Sequence, residues 1–383
     1  MAPADLKPLT LGSIAVVAAL LASPISAQSV NAGDRAANPR QPFDSVAVTT
    51  FASPWAIAFL PDGRMLVTEK AGAVHLVGQD GEKISVGGIP KVAASGQNGL
   101  LDIAVAPDFD QSGLVYLSLV APDAGGGTLQ LVRAKLKDQD GVARLADVTA
   151  IWSQTPAGGR GQPGGIIAFD PQGEHLFLTV GDRMEPATAQ DPDMARGKVM
   201  RMRLDGSVPS DNPVSGGNEV RSLTWTTGHR NPYGLAFNAE GDLWLHEMGP
   251  RGGDEFNRIV EGQNYGWPLV SNGENYNGTP IPNHDTRPEF AAPAVYWTPV
   301  IAPAGLTFYG GQMFADWQGS ALIGALAGQA LVRVEARGEG RFDEAERWDM
   351  GARIRDVAVA PDGAVWVIED ARNGALRRLT PAP

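Results

Sequence analysis

Cysteine is absent from the 383-residue chain, which rules out disulfides, a thiolate nucleophile and a Cys-ligated zinc site together. Histidine is scarce. The five present (His75, His175, His229, His246 and His284) show neither H-x-x-x-H nor H-E-x-x-H spacing, so a transition-metal cage is not expected. A metal, if held, would take oxygen ligands, and calcium suits that composition. Charged residues make up only 19%, with a formal net charge of −12. The basic face that phosphate binding needs is missing, which argues against a nucleic-acid partner. An acidic balance is a solubility device and names no partner. Long hydrophobic runs are missing too. The one candidate runs from Leu9 to Ala22, follows a single lysine, Lys7, and leads into "SPISA". It is too short to span a bilayer and reads as a secretory signal cleaved after Ala27. The expected organisation is a signal peptide over 1–27, an N-terminal linker over 28–45 and one domain over 46–383. No membrane span is expected, and the mature chain should be periplasmic or secreted.

Helix signals are also nearly missing, whereas 47 glycines and 29 prolines mark a turn-rich chain. One phrase recurs six times: a small or apolar pair, Ala-Phe or Ala-Val, a Pro-Asp-Gly or a relative of it, then an apolar-aromatic run. The copies begin at Pro54, Gly99, Gly164, Tyr233, Ala304 and Ile354, and the fifth is the most degenerate. Each reads as a hairpin whose glycine supplies the positive φ of the turn. A lone hairpin cannot bury its apolar face. Six of them arranged radially make an all-β fold, a six-bladed β-propeller, in preference to a sandwich or an open solenoid. Loops at one end of such a channel converge on a ligand site. The insertions over 183–230 and 247–303 are expected to roof it.

Several polar residues directly precede a repeat and so should face that mouth. Gln97 lies in "GQNGLLDIAVAPDF", Arg230 and Asn231 in "GHRNPYGLAF", and "LDGSVPSDNP" (204–213) follows the third repeat. Arg353 and Arg355, two apart on a strand, share a face. They either pair with Asp356 or Glu346 or present planar forks to a ligand with several carboxylates. In "HEMGPRGGDEFN" (246–257), Gly249 and Pro250 can turn their carbonyls inward, and Asp254 and Glu255 can either coordinate calcium or brace the loop through backbone N–H groups.

Together "GQNGLLDIAVAPDF", "LDGSVPSDNP", "GHRNPYGLAF", "GPRGGDEFN", "NYGWPLV" and "RIRDVAVAPDG" resemble, in order, the soluble glucose/sorbosone dehydrogenases that use pyrroloquinoline quinone (PQQ), the aldose sugar dehydrogenases in particular. The resemblance runs from about Phe51 to the end. It implies a propeller that holds PQQ and calcium at its mouth. A sugar or alcohol would be oxidised there by hydride transfer from C1, with an external electron acceptor. On that resemblance Gly249 and Pro250 give carbonyls to the calcium beside the cofactor, and Asp254 and Glu255 bind a second, structural calcium. Arg230, Asn231, Arg353 and Arg355 hold the cofactor, while Gln97, Gln162 and Arg230 stand at the reacting end.

The chain departs from the family pattern at the centre of this set. Where the family has a catalytic histidine in "H-x-G-G-R", this chain has "Q-P-G-G-I", with Gln162 for the histidine and Ile166 for the arginine. Ala327 stands for a cofactor-contacting lysine and Met248 for a further histidine. An amide cannot take a proton at neutral pH. His229, His246, Asp182 and Arg160 are the neighbours by sequence that could compensate. Three expectations follow: a PQQ-dependent sugar dehydrogenase with an altered base, a non-catalytic ligand-binding propeller, and a calcium-dependent lactonase.

Overall fold

A computed structural model describes residues 29–214, 216–338 and 341–383, and the expected signal sequence over 1–27 lies outside the described residues. The strands form six antiparallel blades around one axis. The innermost strands are Pro54–Phe59, Leu100–Val105, Gly164–Phe169, Pro232–Phe237, Pro303–Phe308 and Ile354–Val359. Successive members pack against one another, and the sixth packs on the first. All six line an axial channel with a volume of about 310 Å³. Each recurring phrase of the sequence is the first hairpin of a blade. Gly63, Gly173, Gly241 and Gly363 take φ of +85°, +70°, +85° and +88° at the hairpin turns. The fold is the expected six-bladed propeller.

Each inner strand carries a bulge near its start. The register against the second strand slips between Pro54 and Ile57, Leu100 and Ile103, Gly164 and Ile167, Pro232 and Gly234, Ala304 and Leu306, and Ile354 and Asp356. A bulge frees backbone groups from the ladder, and buried ones need other partners. In the first three blades a buried hydroxyl from the second strand supplies them. Thr68 accepts from Ala56 N (3.0 Å) and donates to Leu101 O of the next blade (2.8 Å). Ser118 accepts from Asp102 N (3.1 Å) and donates to Gly165 O. Thr179 accepts from Ile166 N (2.9 Å) and donates to Pro232 O (3.2 Å).

In the fourth blade His246 takes this place, with Nε2 2.9 Å from Gly305 O of the fifth. Burial pushes its pKa down to about 4, so it stays neutral. Carboxylates add two further ties: Asp102 accepts from Ile167 N and Asp356 from Ile57 N, each at 2.8 Å. Asp356 is therefore committed to closing the sixth blade on the first. Apolar side chains fill the rest of the space between blades, the largest cluster running through the first three.

The expected linker over 28–45 is instead part of the propeller. Val30–Asn31 pairs in parallel with the outer strand of the fourth blade. Asn38 bridges to Trp348 of the fifth, with its N–H 2.7 Å from Arg347 O. Phe43–Phe51 is the outer strand of the sixth blade, paired with Gly374–Pro381, so the N-terminal segment closes the ring. Val30–Asn31 and Asn38 join through backbone groups one or two residues at a time, and Phe43–Phe51 buries only its two end residues, so neither stretch leaves a hydrophobic period to read. Among the described residues no helix is long and apolar enough to cross a membrane.

The hydroxyl ties make a direct prediction. Thr179→Val keeps the shape but leaves Ile166 N and Pro232 O without that partner, and should cost about 1–3 kcal/mol in chemical denaturation. An unchanged midpoint would show that the tie carries no stability.

Candidate active site

The segments that lead into inner strands bring the expected residues together at one end of the channel. "GQPGG" places Gln162 in the left-handed region (φ +44°), and its N–H donates to Gln97 Oε1 (2.6 Å). A Cβ on Gly181 would lie 2.0 Å from Gln162 O, so only glycine lets the second strand of the third blade pass there. The next residue, Asp182, is fully buried. With the Gln162 amide oriented to satisfy both ends, its nitrogen donates to Asp182 Oδ1 and its oxygen accepts from Arg230 Nη2 (2.7 Å). Asp182 also accepts from Met184 N and from the Trp267 indole, each at 2.9 Å. Burial pushes its pKa up to about 6, against the pull of those donors and of Arg230.

A buried arginine holds this turn in place. Arg183 donates to Gly161 O (2.7 Å), to Asn98 Oδ1, Gly127 O and Gly159 O (each 3.0 Å), and faces no carboxylate within bonding distance. Sequence reasoning missed it because nothing in "VGDRM" distinguishes a hub from a surface charge.

Arg230 donates through Nη1 to Met248 O (2.8 Å) and Gly249 O (2.9 Å). Its guanidinium lies 5.4 Å from the Trp267 ring centre and 5.9 Å from that of Tyr276. The long loop after the fourth blade's third strand supplies both rings. The Arg230 N–H donates to Glu247, whose other oxygen meets His229 Nδ1 at 2.8 Å. His229 is buried and also bonded to Thr226, so neither it nor His246 is free at the mouth.

Arg353 and Arg355 do share a face, but their partner is Asp370, at 2.8 Å from each, and neither Asp356 nor Glu346. Burial alone would raise Asp370, but Arg355 and Arg353 outweigh it and hold it below the ordinary carboxylate range. Arg355 stacks on Trp55 at 4.3 Å and lines the channel beside Tyr233. Lys70, unremarked in the sequence, donates to Gly96 O. Burial and the nearby Arg355 lower its pKa. Four cations (Arg230, Arg353, Arg355 and Lys70) thus face this end of the channel.

The loop of Gly249 is tight: a Cβ there would lie 2.2 Å from Gly252 O. Asp254 braces it, accepting from Gly249 N (2.9 Å), Ile301 N (2.8 Å) and Ala302 N (2.7 Å). Burial raises its pKa to about 7 against those donors. Glu255 bonds His284 (3.0 Å) and Asn257 (3.1 Å). Adjacent strand residues point to opposite faces, so Asp254 and Glu255 do not form one carboxylate pair. Among the described residues no group of three or more acidic or histidine side chains could hold a metal. The brace is what Asp254 does. Glu255 instead borders a cavity of about 10 Å³ with Arg230, Glu247, Met248 and Gly249.

Of the departures from the family pattern, Ile166 lines the channel, and Ala327 is exposed in a turn, its N–H donating to Ile301 O. The stretch 204–223 leaves the far end of the third blade, where Asn212 and Asp211 bond Arg201. It does not roof the mouth, whereas 183–197 and the loop carrying Trp267 and Tyr276 do.

A family model for glucose/sorbosone dehydrogenase matches residues 51–378. The chain belongs to this family. Aldose sugar dehydrogenase YliI of Escherichia coli (strain K12) is 38% identical over 339 residues, covering 86% of this chain and 90% of that protein. A crystal structure of a glucose dehydrogenase superposes with a TM-score of 0.83 at 41% identity, covering 89% of this chain and all of that one (100%). The PQQ-bound form of an aldose sugar dehydrogenase from Streptomyces coelicolor gives 0.72 at 26% identity, covering 89% and 100%. Family membership makes the mouth just described the candidate active site of an oxidoreductase.

Arg183→Met should speed amide hydrogen exchange across residues 157–165, because four acceptors lose their donor at once. Unaltered protection there would mean that the turn is held by other contacts.

Proposed function

We propose that the protein is a PQQ- and calcium-dependent dehydrogenase of aldoses or related alcohols, exported through the signal over 1–27. The observation that carries this reading is the cationic mouth. Arg353 and Arg355 share a single carboxylate, Lys70 has none within bonding distance among the contacts above, and Arg230 leans on neutral carbonyls. An anionic quinone with several carboxylates suits such a surface. Buried polar atoms at the same place lack partners: Arg230 Nε and Asn231 Oδ1. Buried groups are ordinarily satisfied, so these two fit residues that wait for a ligand. The PQQ-bound relative at 26% identity supports the choice of quinone.

The donor set also suits calcium. A guanidinium already stands as a cation on the carbonyls of Met248 and Gly249, which are hard oxygen donors of the kind calcium takes. Bound PQQ would supply the two-electron acceptor, with calcium as the cation that holds it. Arg353 and Arg355 would take its carboxylates, Arg230 and Asn231 its remaining oxygens, and Gln97 and Gln162 would face the substrate hydroxyl.

Purified mature protein mixed with PQQ and calcium should reduce a redox dye in the presence of an aldose, and neither component alone should suffice. Failure to bind PQQ would overturn the reading. A second reading, a propeller that binds its ligand without turnover, is favoured by Gln162 in the place of the family histidine. Strong wild-type turnover would eliminate it.

Arg230 gives a test of opposite signs. Arg230→Gln should tighten calcium, or terbium read through tryptophan-sensitised luminescence, severalfold, because a competing cation leaves the Gly249 carbonyl. The same change should weaken PQQ. Weaker terbium binding would show that Arg230 does not compete for that oxygen.

A further inference from the structure

Oxidation of a C1 hydroxyl releases a hydride and a proton, and the proton needs an acceptor. The titratable groups at the mouth are mostly committed. Arg353 and Arg355 hold Asp370, and Glu247 is bonded by His229 and Arg230 N. His246 lies between blades with its Nε2 on Gly305 O, and Lys70 sits on the Gly96 carbonyl beside Arg355. Asp182 is different. One of its oxygens touches the Gln162 amide nitrogen, and the oxygen of that same amide faces Arg230.

We propose that the Gln162 amide and Asp182 form a two-residue proton relay, in which Asp182 is the final acceptor of the substrate's hydroxyl proton. This rests on the dehydrogenase reading above. In the step, the substrate O–H bond breaks and its proton forms an O–H bond on Gln162 Oε1. A proton leaves Gln162 Nε2 for Asp182 Oδ1. The C1–H bond breaks with its electron pair going to the quinone, and C1 becomes a carbonyl carbon. One proton and one hydride leave the substrate; the two proton transfers are concerted, so the amide passes to its neutral imidic-acid form and is never a cation. It resets when the Oε1 proton leaves to solvent and Asp182 returns its proton to Nε2.

Three features of the pocket support this. Met184 N and the Trp267 indole hold the Asp182 carboxylate at 2.9 Å, so it cannot turn away from Gln162. Gln97 and Gly181 fix the Gln162 backbone. Around Asp182 the charged groups are Arg230 and the adjacent buried Arg183, which favour the carboxylate, and Glu247, which opposes it; burial sets the balance near pH 6. An acceptor with a pKa close to the working pH is the efficient kind. As a base it must be ionised, so the rate should rise with pH through about 6 and then level off.

The test uses the full mature chain loaded with PQQ and calcium. Asp182→Asn should lose about 10²–10⁴-fold in kcat, keep its PQQ affinity by fluorescence titration, and lose the acidic limb of the kcat/KM profile. Gln162→Leu, which leaves the Met184 and Trp267 bonds to Asp182 in place, should show the same loss, and it carries the test if Asp182→Asn fails to fold. Gln162→His, which puts a base in direct contact, should turn over faster than wild type. Wild-type kcat and an intact acidic limb in Asp182→Asn or Gln162→Leu would overturn the relay. So would a wild-type protein that binds PQQ but oxidises no aldose or alcohol. A wild-type protein that binds no PQQ would overturn the dehydrogenase reading as well.

Discussion

The bulge at the start of every inner strand is the constraint from which the mouth follows. It breaks the ladder at one end of each blade and turns the preceding residues over the channel. The freed backbone groups are tied to a hydroxyl, an imidazole or a carboxylate that often reaches the next blade. Blade closure and site formation are therefore one event. Gln97, Gln162, Arg230, Asn231 and Arg353 all lie just upstream of an inner strand, and Arg355 lies within a bulge. Their convergence needs no further device than six repeats of this corner.

Electrostatics then divides the mouth into two halves. On the sixth-blade side, Arg353 and Arg355 share one carboxylate, and Lys70 adds a charge, so the surface stays cationic. On the third- and fourth-blade side, Arg230 rests on carbonyls between two aromatic rings, and Asp182 is sunk behind an amide. The first half is suited to holding an anion and the second to handling a neutral hydroxyl. The stacking of Arg355 on Trp55 and of Arg230 near Trp267 helps to fix both guanidiniums, while Arg230 rests on carbonyls and Arg355 shares its one carboxylate, Asp370, with Arg353.

Much of this was legible in the sequence, because a propeller blade begins with a local hairpin and hairpins leave a period and a turn residue. The residues just ahead of each repeat were legible for the same reason. What was not legible depends on contacts remote in sequence. The outer strand over 30–31 pairs through a few backbone groups, and that over 43–51 buries only Phe43 and Phe51, at its two ends. Asp370, the partner of Arg353 and Arg355, reaches them from the next strand of the same blade. Asp254 and Glu255 look like a pair in one dimension, but strand geometry sends them to opposite faces, one to brace a loop and one to meet His284. "LDGSVPSDNP" follows the third blade's third strand and so leaves at the far end. Gln162 read as a loss. In three dimensions it is one end of a contact with a buried carboxylate.

The central claim is that the mouth is a receptor for an anionic quinone, with Arg355 as one of its fixed cations. The most direct measurement is a titration of calcium-loaded protein with PQQ, followed by quenching of tryptophan fluorescence. Wild type, Arg355→Met and, as a control, Arg258→Met should be compared; Arg258 lies at the opposite end of the fourth blade, beside Asp242 of its hairpin turn. Saturable binding with one PQQ per chain is expected, weakened at least severalfold in Arg355→Met and unchanged in Arg258→Met. Equal affinity in all three proteins, or no saturable binding in any, would contradict it.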